Sequence, residues 1–159
     1  MDKRISTFLH ILKPLAGNHV NLENVVISGA TAIKAHGLIL NREPSDLDVA
    51  VYQPTDEQLE IILKGEKAMT AGPYPEQRVF KFYHDGQSMD IVVEYEETPP
   101  GLLYHAHYYG DEVLFFKIQS IENCVAAKRM YNREKDWRDF QDLKNSNFNM
   151  TQPDKSYEF

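Results

Sequence analysis

The 159-residue chain has one cysteine, Cys124, so no internal disulfide can staple it, and its thiol usage fits a reducing cytoplasm. It has no apolar run near the roughly 20 residues that cross a bilayer. The start, Met1-Asp2-Lys3-Arg4-Ile5, lacks the apolar centre of a signal peptide. Positive charge is scarce: 17 Lys and Arg face 24 Asp and Glu, for a net charge of −7. That balance argues against non-specific binding to a nucleic-acid backbone, which needs many phosphate-neutralising cations. It leaves room for one RNA end in a local basic pocket. Internal repeats are absent. Hydrophobic residues at 42% and charged ones at 26% suit one globular domain with a real core, expected over 1–145, followed by a polar, asparagine-rich tail at 146–159.

What is present centres on residues 25–49. Val25, Val26 and Ile27 form a β-branched run, suggesting a strand buried on both faces, which stops at Ser28-Gly29-Ala30-Thr31. A short helix follows, expected to end at His36-Gly37 with Gly37 as a left-handed cap. Backbone N–H groups at such a helix start favour an anion. Ser28 and Thr31 offer hydroxyls beside it, and Ser28 reads equally well as a helix cap. Next comes Arg42-Glu43-Pro44-Ser45-Asp46-Leu47-Asp48-Val49. Strand alternation puts Asp46 and Asp48 on one face, with Cα atoms about 7 Å apart. Two carboxylates so spaced can share a hard divalent cation that also holds a phosphate. They can equally be two solvated aspartates on a strand edge.

The remaining elements are read in chain order. Ile5, Phe8, Leu9 and Leu12 make one face of a helix over 3–13, which Pro14 closes or kinks. Thr55-Asp56-Glu57-Gln58 is a capping box, and Leu59, Ile62 and Leu63 line the helix face until Gly65. Ala71 to Pro75 is a loop. Arg78–His84 and Gln87–Tyr95 form a hairpin about Asp85-Gly86, whose two-residue turn sets the register. His84 then faces Gln87, Phe82 faces Met89, Lys81 faces Asp90 and Phe80 faces Ile91. Phe80, Phe82, Met89, Ile91 and Val93 share the core face, and Asp90 lies opposite, available for an ion pair with Lys81. A second hairpin spans Leu102–Tyr109 and Glu112–Ile118. His105 and His107 lack a third metal ligand at a convincing spacing, and Tyr104, Tyr108, Tyr109, Phe115 and Phe116 read as core and rim. Ser120 caps a helix whose apolar stripe, Ile121, Cys124 and Val125, also takes in Lys128. Lys128 either snorkels to the surface or reaches into a cleft.

Glycine turn, helix, Arg-x-x-x-Asp-x-Asp and a later strand carboxylate together resemble the nucleotidyltransferase fold of the DNA polymerase beta superfamily. The chain is most similar there to AbiEii-type toxins and related small nucleotidyltransferases. The resemblance covers residues 5–145, with its specific motifs in the first half. Gly29-Ala30-Thr31-Ala32-Ile33 matches the family's G-G-T-A-L, and Arg42 to Val49 its R-x-[ST]-x-D-[IL]-D-[LV]. Ala30 departs from the family's second glycine or serine. The resemblance implies an α/β (α+β) fold: a mixed sheet with helices on one face and a catalytic face open on the other. It implies Asp46, Asp48 and Asp90 as catalytic metal ligands for Mg²⁺ or Mn²⁺, in a two-metal site, with Glu94 as the alternate to Asp90. Ser28, Gly29, Ala30, Thr31, Arg42 and Lys128 would bind the nucleotide, though Arg42 also reads as a tether to Asp46 or Glu43. Lys128, Arg133 and Lys135-Asp136-Trp137-Arg138-Asp139 look like the family's helical lysine, arginine and R/K-D-x-x-D element. Both Asp136/Asp139 and Asp139/Asp142 fit its register, and Asp142 also suits an i,i+4 pair with Arg138.

The implied activity is transfer of a nucleoside monophosphate from an NTP to an unidentified acceptor, in an enzyme that is a toxin of a toxin–antitoxin pair or modifies some other hydroxyl. Its partners would be NTP, the acceptor, and an antitoxin or a second copy. The alternative is a non-catalytic nucleotide- or partner-binding module that keeps the fold.

Overall fold

The structure is a computed structural model that describes residues 10–11, 13–15, 21–36, 46–68, 79–99, 103–109 and 112–145. Its strands are β1 (Asn21–Ser28), β2 (Asp46–Tyr52), β3 (Glu66–Ala68), β4 (Val79–His84), β5 (Gln87–Glu94), β6 (Leu103–Tyr109) and β7 (Glu112–Ile118). Its helices are α1 (Gly29–Ala35), α2 (Asp56–Ile62), α3 (Ile121–Tyr131) and α4 (Glu134–Asn145), with further helical residues at 10–11 and 13–15. The strands form one mixed sheet in the order β3-β4-β5-β2-β1-β7-β6. β2 runs parallel to β5 and β1 parallel to β7, while the other neighbours are antiparallel. This is the α/β class expected. Among the described residues no helix is long and apolar enough to cross a membrane.

Strand alternation decides which face is covered. Val25 and Ile27 of β1, Leu47, Val49 and Val51 of β2, Met89, Ile91 and Val93 of β5, and Phe116 and Ile118 of β7 point to one side and are buried. Ile33, Ile62, Ile121, Cys124, Val125 and Leu143 of the helices close over them in a single core. Each such side chain contributes about 1.5–3 kcal/mol on burial. On the opposite face, among the described residues, Val26, Ala50 and the partly buried Tyr52 form a small apolar group. Val26 is buried too, so β1 is covered on both faces as its composition predicts.

The β4–β5 hairpin has the expected register: His84 pairs with Gln87, Phe82 with Met89, Lys81 with Asp90 and Phe80 with Ile91. Its turn residues Asp85 (φ 52°) and Gly86 (φ 75°) both take the positive φ that a type I′ turn requires. Thr55 and Gln58 form the reciprocal capping box, and the Ser120 hydroxyl accepts the Asn123 N–H.

Two local expectations change. Pro14 does not close its helix: Pro14 and Leu15 remain helical, and Leu15 is buried one turn after Ile11. Burial of that apolar pair outweighs the hydrogen bond proline removes. The inward stripe of α2 is Gln58 and Ile62, while Leu63 lies outside it and is 55% exposed. Gln58 can be buried because its amide exchanges hydrogen bonds with Asn24, at 2.7 and 3.2 Å. Helix α1 runs to Ala35 with His36 as its C-cap (φ −75°, ψ 1°), in line with an end at His36-Gly37. Gly37, the Ile5–Leu12 stripe, the 71–75 loop, the tail, and the side chains of His105, His107, Tyr104, Tyr108 and Tyr109 lie outside the described residues.

Candidate active site

The parallel pairing of β2 with β5 builds the site. Asp48 stands opposite Asp90, Ser28 opposite Asp48, and Lys81 opposite Asp90. One row on the face away from the helices therefore reads Ser28–Asp48–Asp90–Lys81 across four strands. Asp46 lies one pleat along, opposite Ser88. All three aspartates singled out by sequence share this face and neighbouring strands.

Lys81 ties the row together. Its Nζ lies 3.2 Å from Asp90 Oδ1 and donates to Asp46 Oδ2 at 3.4 Å, reaching across β5. The Ser88 hydroxyl donates to the other Asp46 oxygen. Asp90 Oδ1 is buried and, among the described residues, receives no aligned hydrogen bond; its contact with Lys81 is an ion pair by distance alone. Asp48 stands differently. No described side chain donates to its carboxylate, and burial, then the charges of Asp90 and Asp46, push it up from 3.8 to about 6. Lys135 and Arg133 oppose that rise, which sets the corner between α3 and α4 within electrostatic reach of the row. Burial also raises Asp90, against the pull of Lys81 and Lys135. Lys81 itself is raised, because Asp90 and Asp46 outweigh the burial that would lower it.

Gly29 sits directly against Asp48. Its φ is +65°, and a Cβ there would lie 2.5 Å from Asp48 Oδ2. The turn is therefore a glycine for two reasons, backbone conformation and the carboxylate filling the space. Ser28 occupies the N-cap position of α1 but makes no side-chain cap bond. Its hydroxyl instead points to the Asp48 main-chain oxygen at 3.4 Å. The helix-cap reading of Ser28 fails because Asp48 lies beside it in the ladder. Ala30 and Thr31 turn into the core, and Thr31 Oγ1 is buried without a partner among the described residues. Of the two turn hydroxyls, only that of Ser28 stands in the carboxylate row. Arg42 lies outside the described residues.

Lys128 neither snorkels outward nor points at the aspartate row. It is buried, its Nζ 2.7 Å from Asp139 Oδ2 and 3.5 Å from Asp136 Oδ1. Both aspartates are fully buried, and they are the pair that the Lys128 ammonium meets. Arg133 clamps Asp136 through Nε (2.8 Å), Nη2 (3.2 Å) and its main-chain N–H (3.1 Å). Burial would raise Asp136, but the Arg133 bonds outweigh it and leave the carboxyl below its usual range. Arg138 pairs back to Glu134 at 2.7 Å.

Sequence reading missed Ser88 as a partner of Asp46, and Lys81 as a bridge rather than a simple cross-strand pair. The signal was partial: the hairpin register showed Lys81 opposite Asp90, but not which strand would flank β5 on its other side.

The donor set suits a hard divalent cation in chemistry: three carboxylates on one face, one of them with no cation in contact among the described residues. The expected convergence is not made, however. Among the described residues no three His, Cys, Asp or Glu side chains are set to hold a metal. The Lys81 ammonium lies between Asp46 and Asp90 and draws both toward itself. No family model, curated protein or solved structure matches this chain.

Proposed function

We propose that this protein transfers a nucleoside monophosphate from an NTP to an acceptor hydroxyl, breaking the bond between the α- and β-phosphates and releasing pyrophosphate, with Asp46, Asp48 and Asp90 as the residues that would hold Mg²⁺ or Mn²⁺. The observation that carries the reading is the row Ser28–Asp48–Asp90–Lys81, with Asp46 one pleat away, beside the positive-φ turn at Gly29. Crowded carboxylates repel one another, and Asp48 feels this most, with its carboxyl raised to about 6. A divalent ion would relieve that repulsion, and when bound it would neutralise charge on the phosphate oxygens. Asp48 and Asp46 are its first ligands by position.

Asp90, held above the usual carboxylate range, is suited to take the acceptor hydroxyl proton on a carboxylate oxygen. The Ser28 hydroxyl and the backbone at Gly29 would orient phosphate oxygens against Asp48. Lys135, whose charge bears on Asp48, would supply positive charge toward the departing pyrophosphate. Lys128, spent on Asp139, positions the α3–α4 corner instead of touching nucleotide.

A second reading, a nucleotide- or partner-binding module without catalysis, is favoured by one observation: Lys81 already compensates Asp46 and Asp90 without a metal.

Incubation with each α-labelled NTP, Mn²⁺ and a cell extract separates the two. Label transfer to an acceptor, lost in Asp48→Asn, is the expected result. NTP binding with no transfer under any nucleotide would favour the module, and neither binding nor transfer would end both.

A further inference from the structure

The two edges of the sheet differ in kind. At one, β3 is three residues long and carries Glu66 and Lys67, both exposed. Short, charged edge strands discourage pairing with another chain. At the other, β6 runs for seven residues and pairs on one side with β7. Among the described residues no strand lies on its other side. β6 contains no Lys, Arg, Asp, Glu or Pro, so its composition has none of the devices that block strand addition. Its central five residues, Tyr104-His105-Ala106-His107-Tyr108, read the same in both directions. We propose that β6 is the contact of a twofold homodimer, in which the strands of two copies pair antiparallel with Ala106 opposite the partner's Ala106. Pairing at this edge does not depend on the nucleotidyltransferase reading.

Self-complementarity selects a second copy over any other occupant. A twofold axis at Ala106 sets Tyr104 opposite the partner's Tyr108 and His105 opposite the partner's His107, so every position of the central five meets its own kind. Leu103 falls opposite the partner's Tyr109, and all seven residues of each strand are paired. A free strand edge presents the N–H and C=O of every second residue, and seven opposed positions make roughly six to eight inter-strand hydrogen bonds. Opposed aromatic residues add to such a pairing. Charge points the same way. The chain carries −7, so two copies repel, and a contact between them must not lay like charges against each other. β6 has no formal charge to lay there. Ala106 pairs on its other side with Phe115, which is 40% exposed, so the row through the axis is partly wet. β1 and β7 separate β2 from β6, so the dimer would be one sheet twice as wide with both carboxylate rows away from the axis.

Sedimentation equilibrium of the full chain tests this. Wild type should show a monomer–dimer equilibrium with Kd on the order of 10–100 µM, the weak class that a narrow contact gives. Ala106→Glu sets two carboxylates opposite each other on the axis and should weaken dimerisation at least about tenfold; Ala106→Lys should do the same. An equimolar mixture of the two variants should dimerise about as well as wild type, because opposite charges then meet across the axis. A wild type that stays monomeric at about 1 mM overturns the proposal and leaves the edge to a strand of some other protein. A dimer that neither variant weakens places the contact elsewhere and overturns it too. Two folded variants that stay monomeric when mixed remove the antiparallel register about Ala106. If the variants do not fold, hydrogen exchange of wild type at low and high protein concentration decides. Alternate β6 amides should slow as concentration rises while those of β3 do not, and β6 exchange independent of concentration overturns the dimer.

Discussion

At the scale of single residues, Asp48 and Gly29 define each other. The Asp48 carboxyl is raised from 3.8 to about 6, so between those values the folded chain holds more protons than the unfolded one. Stability therefore falls as pH rises through that window, and the penalty remains in full above it. A rise of this size corresponds to roughly 3 kcal/mol, and to about 1–2 kcal/mol once solvent screening of a half-buried group is allowed for. Asp48→Asn should be neutral at pH 4 and stabilising by that smaller amount at pH 7. Urea unfolding of both proteins at the two pH values checks it; a gain that is the same at both would remove the charge argument. Gly29→Ala carries two costs: about 1–2 kcal/mol for the left-handed backbone, and displacement of Asp48 by the new Cβ. Only the second vanishes in an Asp48→Ala background. A double-mutant cycle should give a coupling above about 0.5 kcal/mol, and strict additivity would show that the carboxylate does not fill that space.

At the scale of elements, the α3–α4 corner is held by charge. Asn132 turns the chain at φ 51°, ψ 41°, and its side-chain oxygen accepts the Trp137 indole N–H. Below it, Lys128 faces Asp139 and Asp136 in the interior. Removing one member of a buried ion pair leaves an uncompensated charge and costs about 3–5 kcal/mol. Lys128→Met should therefore lower the melting temperature sharply, where a snorkelling lysine would have made the change neutral or slightly stabilising. A melt within about 2 °C of wild type would mean that the ion pair is not made in solution. Asp136 gives the matching pH signature. Its carboxyl is depressed, so its stabilisation is present above the unfolded value and is lost as pH falls through the folded one. The corner should loosen in acid, visible as greater exposure of the indole environment around Trp137 by fluorescence.

At the scale of the whole molecule, stability should be graded across the sheet. β2 and β1 lie between other strands and carry fully buried side chains, whereas β3 has three residues and sits at an edge. Native-state hydrogen exchange should be slowest in β1, β2 and β5 and fastest in β3. The aspartates thus stand on the most rigid strands, while Lys81 stands on β4, one strand from that edge. Uniform exchange across all strands would contradict this division.

Much of the site was legible in the sequence because its face assignments are local. Strand alternation put Asp46 and Asp48 on one side, and the Asp85-Gly86 turn alone set Lys81 against Asp90. Thr55 and Ser120 cap their helices through bonds to residues three positions on, which spacing encodes directly. Periodicity, however, records which face a residue takes and not which strand lies beside it. The parallel pairing that brings Asp90 to Asp48, the reach of Lys81 to Asp46 over 35 positions, and the burial of Gln58 by Asn24 over 34 were decided only when the sheet assembled. Lys128 shows the same limit from the other side. Its place on an apolar stripe was plain, but a buried ammonium goes to the nearest compensating carboxylate in space, and only packing of α4 against α3 made that Asp139.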